Sequence, residues 1–273
     1  MRIDTAPLLT PSGLGVVLRA QGTCDAAGFA PELRTAAVTR GLVLVRDLTL
    51  DAAGFRALTR KVGRPIGHEF WEGQADLVRL DASPDEGRVA TGRGPLPLHV
   101  DNLWIGEPTD LILLYAAEVS DAPGSGETVV VDQLAAWAGM PAHLRRVLEE
   151  EQIEHRVEQR GPTSAVPEGW FAVSAIRDHG HVRSLYLALP FPPGTPAPGW
   201  QVRVAGFRRQ ESEDFFRELD AHFRLPEFAY QHRWATGDLL VINNQRTLHG
   251  RTSLDSTQVR LLYRGQVTLP TTD

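Results

Sequence analysis

The sequence predicts a mainly β fold, a β-sandwich or jelly roll with supporting helices. Three observations carry this. Many short apolar runs are separated by Gly/Pro turns, and the C-terminal third reads as strands. Strands also do not alternate regularly with helices, which argues against a doubly wound parallel sheet. With 273 residues, 42% hydrophobic and 23% charged, the chain can bury a sizeable core as a single domain, taken as 1–273.

The elements follow in order. Residues 26–40 have helical spacing, and 41–48 (GLVLVRDL) form a short apolar strand. Residues 50–63 read as a helix opened by Asp51 as N-cap and closed at Gly63. Strands are expected at 110–119 and 127–133, separated by the turn SDAPGSG. A helix over 141–151 has Pro141 near its first turn, and 152–159 alternates like a half-buried strand. The proline-rich stretch 189–200 (LPFPPGTPAPGW) is a loop and marks an insert, roughly 134–225. A helix is expected over 209–223, then strands over 227–233, 238–243, 245–250 and 259–268.

Composition excludes several function classes. The formal net charge is −6 and no Lys/Arg run occurs, so neither a nucleic-acid nor a membrane partner is expected. A lone cysteine, Cys24, forbids an internal disulfide or a thiolate zinc cluster and fits a reducing cytoplasm. The N-terminus has no sustained apolar region of the signal-peptide kind, and no window approaches a transmembrane span. A homo-oligomer is compatible with all of this.

The chemistry gathers around LPLHVDNLW (96–104). On a strand, His99 and Asp101 would point to one face. Two ligands do not make a site; a second histidine would complete the two-His, one-carboxylate facial triad of non-haem iron oxygenases, which leaves coordination positions open. His249 is placed for this, because GDLLVINNQRTLHGR reads as turn, buried strand, polar bend and return strand. The other histidines read as ordinary: His143, His155 and His222 as solvated, His179 and His181 in a hairpin turn, His232 near a strand end, and His68 lining a pocket. In VRLLYRG, Arg260, Leu262 and Arg264 share a strand face. Inward arginines need anionic partners, either a bound carboxylate or a protein Asp/Glu, unless that face is an exposed edge.

Together, His99-x-Asp101, Thr128 in GSGETVVVD, His249 in LHGR, and Arg260 and Arg264 after it resemble the Fe(II)/2-oxoglutarate oxygenases of the taurine dioxygenase/clavaminate synthase superfamily. TGRGPLPLHVD, LLYAAEV, GDLLVINNQRTLH and VRLLYRGQ are similar to stretches of carbapenem synthase within it, over about residues 12–267. The resemblance implies a double-stranded β-helix (jelly roll), with His99, Asp101 and His249 as iron ligands. It implies Arg260 and Thr128 on the distal carboxylate of 2-oxoglutarate and Arg251 near its other end. Arg264 would take a substrate carboxylate, with His68, Trp104 and Trp200 lining the substrate pocket alongside Phe70 and Trp71.

The chain departs from carbapenem synthase at Pro162 and Thr163, where tyrosines stand in that enzyme, and at Asn102, Leu103 and Trp104. The tyrosine that would serve epimerisation is missing. The expected activity is therefore oxidative cyclisation or desaturation of a small carboxylate or amino-acid-derived natural-product intermediate, with release of succinate and CO2. Simple hydroxylation of a free amino acid is the alternative. A zinc hydrolase and a non-catalytic jelly-roll binding protein are the readings from other classes; neither has a use for a dicarboxylate clamp beside a complete ligand set.

Overall fold

The computed structural model describes residues 2–3, 9–19, 26–66, 76–82, 92–104, 109–120, 123–160, 166–178 and 183–270. Along the chain come β1 (Arg2–Ile3), β2 (Val16–Arg19), α1 (Ala30–Arg40), β3 (Leu42–Arg46), α2 (Ala52–Val62), β4 (Arg64–Pro65), β5 (Val78–Leu80), β6 (Leu96–His99), β7 (Leu111–Val119) and β8 (Thr128–Asp132). Next are α3 (Gln133–Ala138), α4 (Ala142–Glu150), β9 (Ile153–Val157), β10 (Phe171–Val173), β11 (Ile176–Asp178), β12 (Arg183–Leu185), β13 (Trp200–Val204) and α5 (Arg209–Phe223). Four strands follow: β14 (Ala229–His232), β15 (Leu239–Asn243), β16 (Thr247–Arg251) and β17 (Arg260–Thr268).

Two sheets form the roll. The major sheet runs β1-β2-β3-β15-β7-β17-β4, with β5 also paired to β17; the minor sheet runs β14-β8-β16-β6. Only β2–β3 is parallel among these pairs. The central strands are apolar along their whole length because both of their faces are covered. Alternation then sorts them. Leu42, Leu44, Ile112, Leu114, Leu240 and Ile242 point into the roll, where Val130 of the minor sheet and Trp234 meet them. Val43, Val45, Leu111, Leu113, Leu239 and Val241 point outward to Leu33 and Ala37 of α1 and Phe55 and Leu58 of α2.

The segment between β8 and β14 packs on the other side of the minor sheet. Val129 and Val131 share a cluster there with Leu144 of α4, Phe216 and Leu219 of α5, and Trp200. The residues after β12 also extend the minor sheet at its β6 edge: Val100 N donates to Leu187 O at 3.0 Å and Leu189 N to Leu98 O at 2.8 Å.

The expected helices and strands are present with small boundary changes. Asp51 caps α2 by accepting from Gly54 N at 2.7 Å. The strand expected to reach residue 133 stops at Asp132, whose side chain accepts from Ala135 N at 3.2 Å and opens the unexpected α3. Cys24 lies outside the described residues. Among the described residues no helix is long and apolar enough to cross a membrane.

Candidate functional site

β6 ends on His99, and β16 runs antiparallel beside it with His249 directly opposite. Their ring centroids are 4.4 Å apart. Asp101 is not on the strand, contrary to expectation; it lies in the turn just past it. Convergence with His99 therefore comes from the turn and not from strand alternation. Two features hold that turn. Asn102 adopts a left-handed conformation (φ 58°), which asparagine tolerates better than most residues. Asn244, in the bend before β16, accepts from Asp101 N at 2.8 Å and donates to Asp101 O at 3.1 Å and to Thr109 O at 3.0 Å.

Asp101 Oδ1 stands 3.5 Å from His99 Nε2 and 3.6 Å from His249 Nε2. One ligand atom from each of the three residues lies within 4.8 Å of the others. His99 Nδ1 is 2.8 Å from Pro97 O. A carbonyl only accepts, so Nδ1 carries a proton there, and the contact turns Nε2 toward Asp101 and His249. Burial, reinforced by the neighbouring His99, lowers the His249 imidazole and keeps it neutral, the form that ligates. Burial alone would raise the Asp101 carboxyl, but Arg264, His249 and His99 outweigh it and hold it well below the usual carboxylate range. The donor set is thus two imidazoles and one carboxylate, which fits Fe(II) with open positions.

Arg264, expected at a substrate carboxylate, has its Nη2 on Asp101 Oδ2 instead, and Gln266 Nε2 donates to the same oxygen at 2.8 Å. One carboxylate oxygen thus faces the imidazoles while the other is anchored to β17.

Arg260, Leu262 and Arg264 do face inward, all three buried. Arg260 Nε and Nη1 are buried and have no hydrogen-bond partner among the described residues. Burial, with the like charge of Arg251 adding to it, lowers this guanidinium well below its ordinary value. Gly126 makes room for it: at φ 65°, a Cβ there would stand 3.1 Å from Arg260 Cδ and 2.6 Å from Leu254 Cδ1. Thr128 pairs with Arg251 across β8 and β16, and its hydroxyl accepts from Trp234 Nε1 at 3.1 Å. Arg251, pushed down to about 10 by burial, donates to Gly94 O at 2.7 Å. A buried arginine with unmet donors is the feature a bound carboxylate would satisfy.

Aromatic rings wall the other side of His99. Trp200 lies 5.6 Å from the His99 ring and is fixed by its Nε1 donating to Leu189 O at 2.8 Å. Trp104 packs edge-on against Trp200 at 5.3 Å. The Tyr186 hydroxyl donates to Asn102 O at 3.1 Å. His68, Phe70, Trp71, Pro162, Thr163, His179 and His181 lie outside the described residues.

Two histidines expected to be solvated are not: His155 is fully buried, and buried His222 is 2.8 Å from Ala136 O through its Nε2. His232 is fully buried as well. The signal for His155 was present, since Ile153, His155 and Val157 alternate on one face of β9. Asn244 and Gln266 also escaped the sequence reading; both are polar residues in or next to strands that are otherwise buried.

The family model described as taurine catabolism dioxygenase TauD, TfdA family, matches residues 4–266. The chain belongs to the TauD/TfdA family. Membership and the triad together make it an Fe(II)/2-oxoglutarate-dependent dioxygenase. It is 24% identical over 278 residues to the (S)-phenoxypropionate/alpha-ketoglutarate-dioxygenase of Sphingobium herbicidovorans, covering 97% of this chain and 94% of that one. It is 20% identical over 185 residues to 3-((Z)-2-isocyanoethenyl)-1H-indole synthase of Fischerella ambigua, covering 63% of this chain and 62%, less than two thirds, of that protein. In fold it resembles PvcB of Pseudomonas aeruginosa, with a TM-score of 0.71 at 19% identity over 93% of this chain and 86% of that one. The jelly-roll TauD/TfdA fold is thus established; a specific kinship to carbapenem synthase is not among these findings.

Proposed function

We propose that this TauD/TfdA dioxygenase oxidises an aliphatic C–H bond of a small carboxylate or amino-acid-derived natural-product intermediate, by ring closure or desaturation. The observation that carries the oxygenase chemistry is the His99–Asp101–His249 cluster together with a buried arginine whose donors are unmet. The natural-product assignment draws support from the Fischerella relative, named for the synthesis of an isocyanoethenyl indole.

Iron held by His99, Asp101 and His249 supplies the O2-activating, C–H-cleaving chemistry when bound, with 2-oxoglutarate consumed to succinate and CO2. Arg260 and the Thr128 hydroxyl hold the far carboxylate of 2-oxoglutarate, and Arg251 lies toward its other end. Arg264 and Gln266 hold Asp101 Oδ2, which would leave Oδ1 as the oxygen free to hold a metal. The remaining N–H groups of Arg264 are left for a substrate carboxylate. Trp104 and Trp200 exclude water and orient the carbon skeleton.

The test is aerobic turnover with Fe(II), ascorbate and 2-oxoglutarate over a panel of amino acids and cyclic carboxylic acids, following succinate and product mass together. Substrate-dependent succinate with a product lacking two hydrogens is expected. A product gaining one oxygen would replace ring closure or desaturation by hydroxylation. Full succinate formation in Asp101→Ala would overturn the ligand assignment.

A further inference from the structure

His155 lies on β9 with no exposed surface, and among the described residues its ring has only the Ala188 backbone as a hydrogen-bonding neighbour, which leaves one ring nitrogen without a partner. Beside it, with ring centroids 5.9 Å apart and edge to face, Trp104 buries an Nε1–H that has no acceptor among the described residues. The pair is continuous with the metal ligands, since Trp104 packs on Trp200 and Trp200 on His99. Phe171 packs on the far side of His155 at 6.5 Å. Buried polar atoms without partners are rare, and an apolar ring at 155 would fill this space without stranding a nitrogen. Two unmet groups side by side on the wall of an active site are what a ligand would complete.

We propose that Trp104 and His155 form a substrate subsite that reads an uncharged hydroxyl carried on a flat ring, at the end of the aromatic wall that begins at His99. The inference rests on the oxygenase reading above. Trp104 Nε1–H can only donate, so the ligand atom must accept. Burial outweighs a hydrogen bond to the Ala188 backbone and holds His155 neutral, its ionisation lowered to about 4, so the imidazole offers a ligand one accepting nitrogen and no charge for a carboxylate. The surrounding ring faces favour a flat partner.

The experiment uses protein loaded anaerobically with Mn(II) and 2-oxoglutarate, whose uptake is titrated first. Failure to take up either overturns the oxygenase reading, and the subsite falls with it. The loaded protein is then titrated by calorimetry with 3-(4-hydroxyphenyl)propanoate and 3-phenylpropanoate, which differ by one hydroxyl. The hydroxylated compound should bind about tenfold tighter, the worth of one well-made hydrogen bond. In His155→Phe the ratio should fall to about one, with Mn(II) and 2-oxoglutarate uptake unchanged. Trp104→Phe, which removes the N–H and keeps a ring, should reduce the same ratio and guards against misfolding of the first variant. Equal affinities in the wild type, no binding of either compound, or a ratio that survives in both variants overturns the subsite while leaving the oxygenase reading intact.

Discussion

At the scale of single residues, the site depends on side chains that do not touch a metal. Asn244 ties both the N–H and the C=O of Asp101 to the bend before β16. Asn244→Ala should weaken metal binding about 10- to 100-fold, the usual cost of losing an outer partner of a ligand, as read by Mn(II) titration; unchanged affinity would make Asn244 a purely structural residue. Arg260→Met should raise the 2-oxoglutarate KM far more than Arg264→Met does. It should also raise the melting temperature of the ligand-free protein, because it removes a buried charge with unmet donors. The reverse ranking of the two KM values would exchange the roles of the two arginines. His155 gives a pH prediction. Its imidazole ionises near 4 in the fold and near about 6.5 when unfolded. The unfolded chain therefore takes up the proton first, and stability is lost as pH falls from about 6.5 toward about 4. The loss is on the order of 3 kcal/mol for this one buried group. Urea denaturation at pH 7 and pH 4.5 should show a smaller drop in His155→Phe than in the wild type; equal drops would remove His155 as the cause.

At the scale of elements, legibility follows periodicity. β7 and β15 were readable as apolar runs because both of their faces are buried, and α2 because Asp51 caps it and Phe55, Leu58 and Val62 fall on one face. Inward Leu44 is completely enclosed, so Leu44→Ala should cost about 2–5 kcal/mol in urea unfolding, whereas exposed Val38→Ala on α1 should stay within about 0.5 kcal/mol. The short β10, β11 and β12 were not legible, since three-residue strands carry too little alternation to stand out. The inward face of β17 was read correctly from Arg260, Leu262 and Arg264. That Arg264 also meets Asp101 was not legible, because Asp101 comes from a distant turn. His155 was misjudged because the charged residues around it outweighed its apolar neighbours Ile153 and Val157 on the same face.

At the scale of the whole molecule, the site is an assembly of both sheets. The minor sheet carries His99, His249, Thr128 and Arg251, while β17 of the major sheet contributes Arg260, Arg264 and Gln266. The motif spacing in the sequence disclosed the His99, Asp101 and His249 cluster and the family, but a single chain of letters does not say which sheet lends which residue. The backbone contacts of 187–189 with 98–100 bear on how such an enzyme can be re-engineered. They make the segment between β8 and β14 the neighbour that seals the open flank of β6, the strand ending in His99. An unsealed strand flank invites pairing with other chains. Grafting that segment from another family member, the obvious route to a new substrate range, would therefore change the mooring of His99 as well. A graft that ignores residues 187–189 should give a protein prone to self-association before it gives one with altered selectivity.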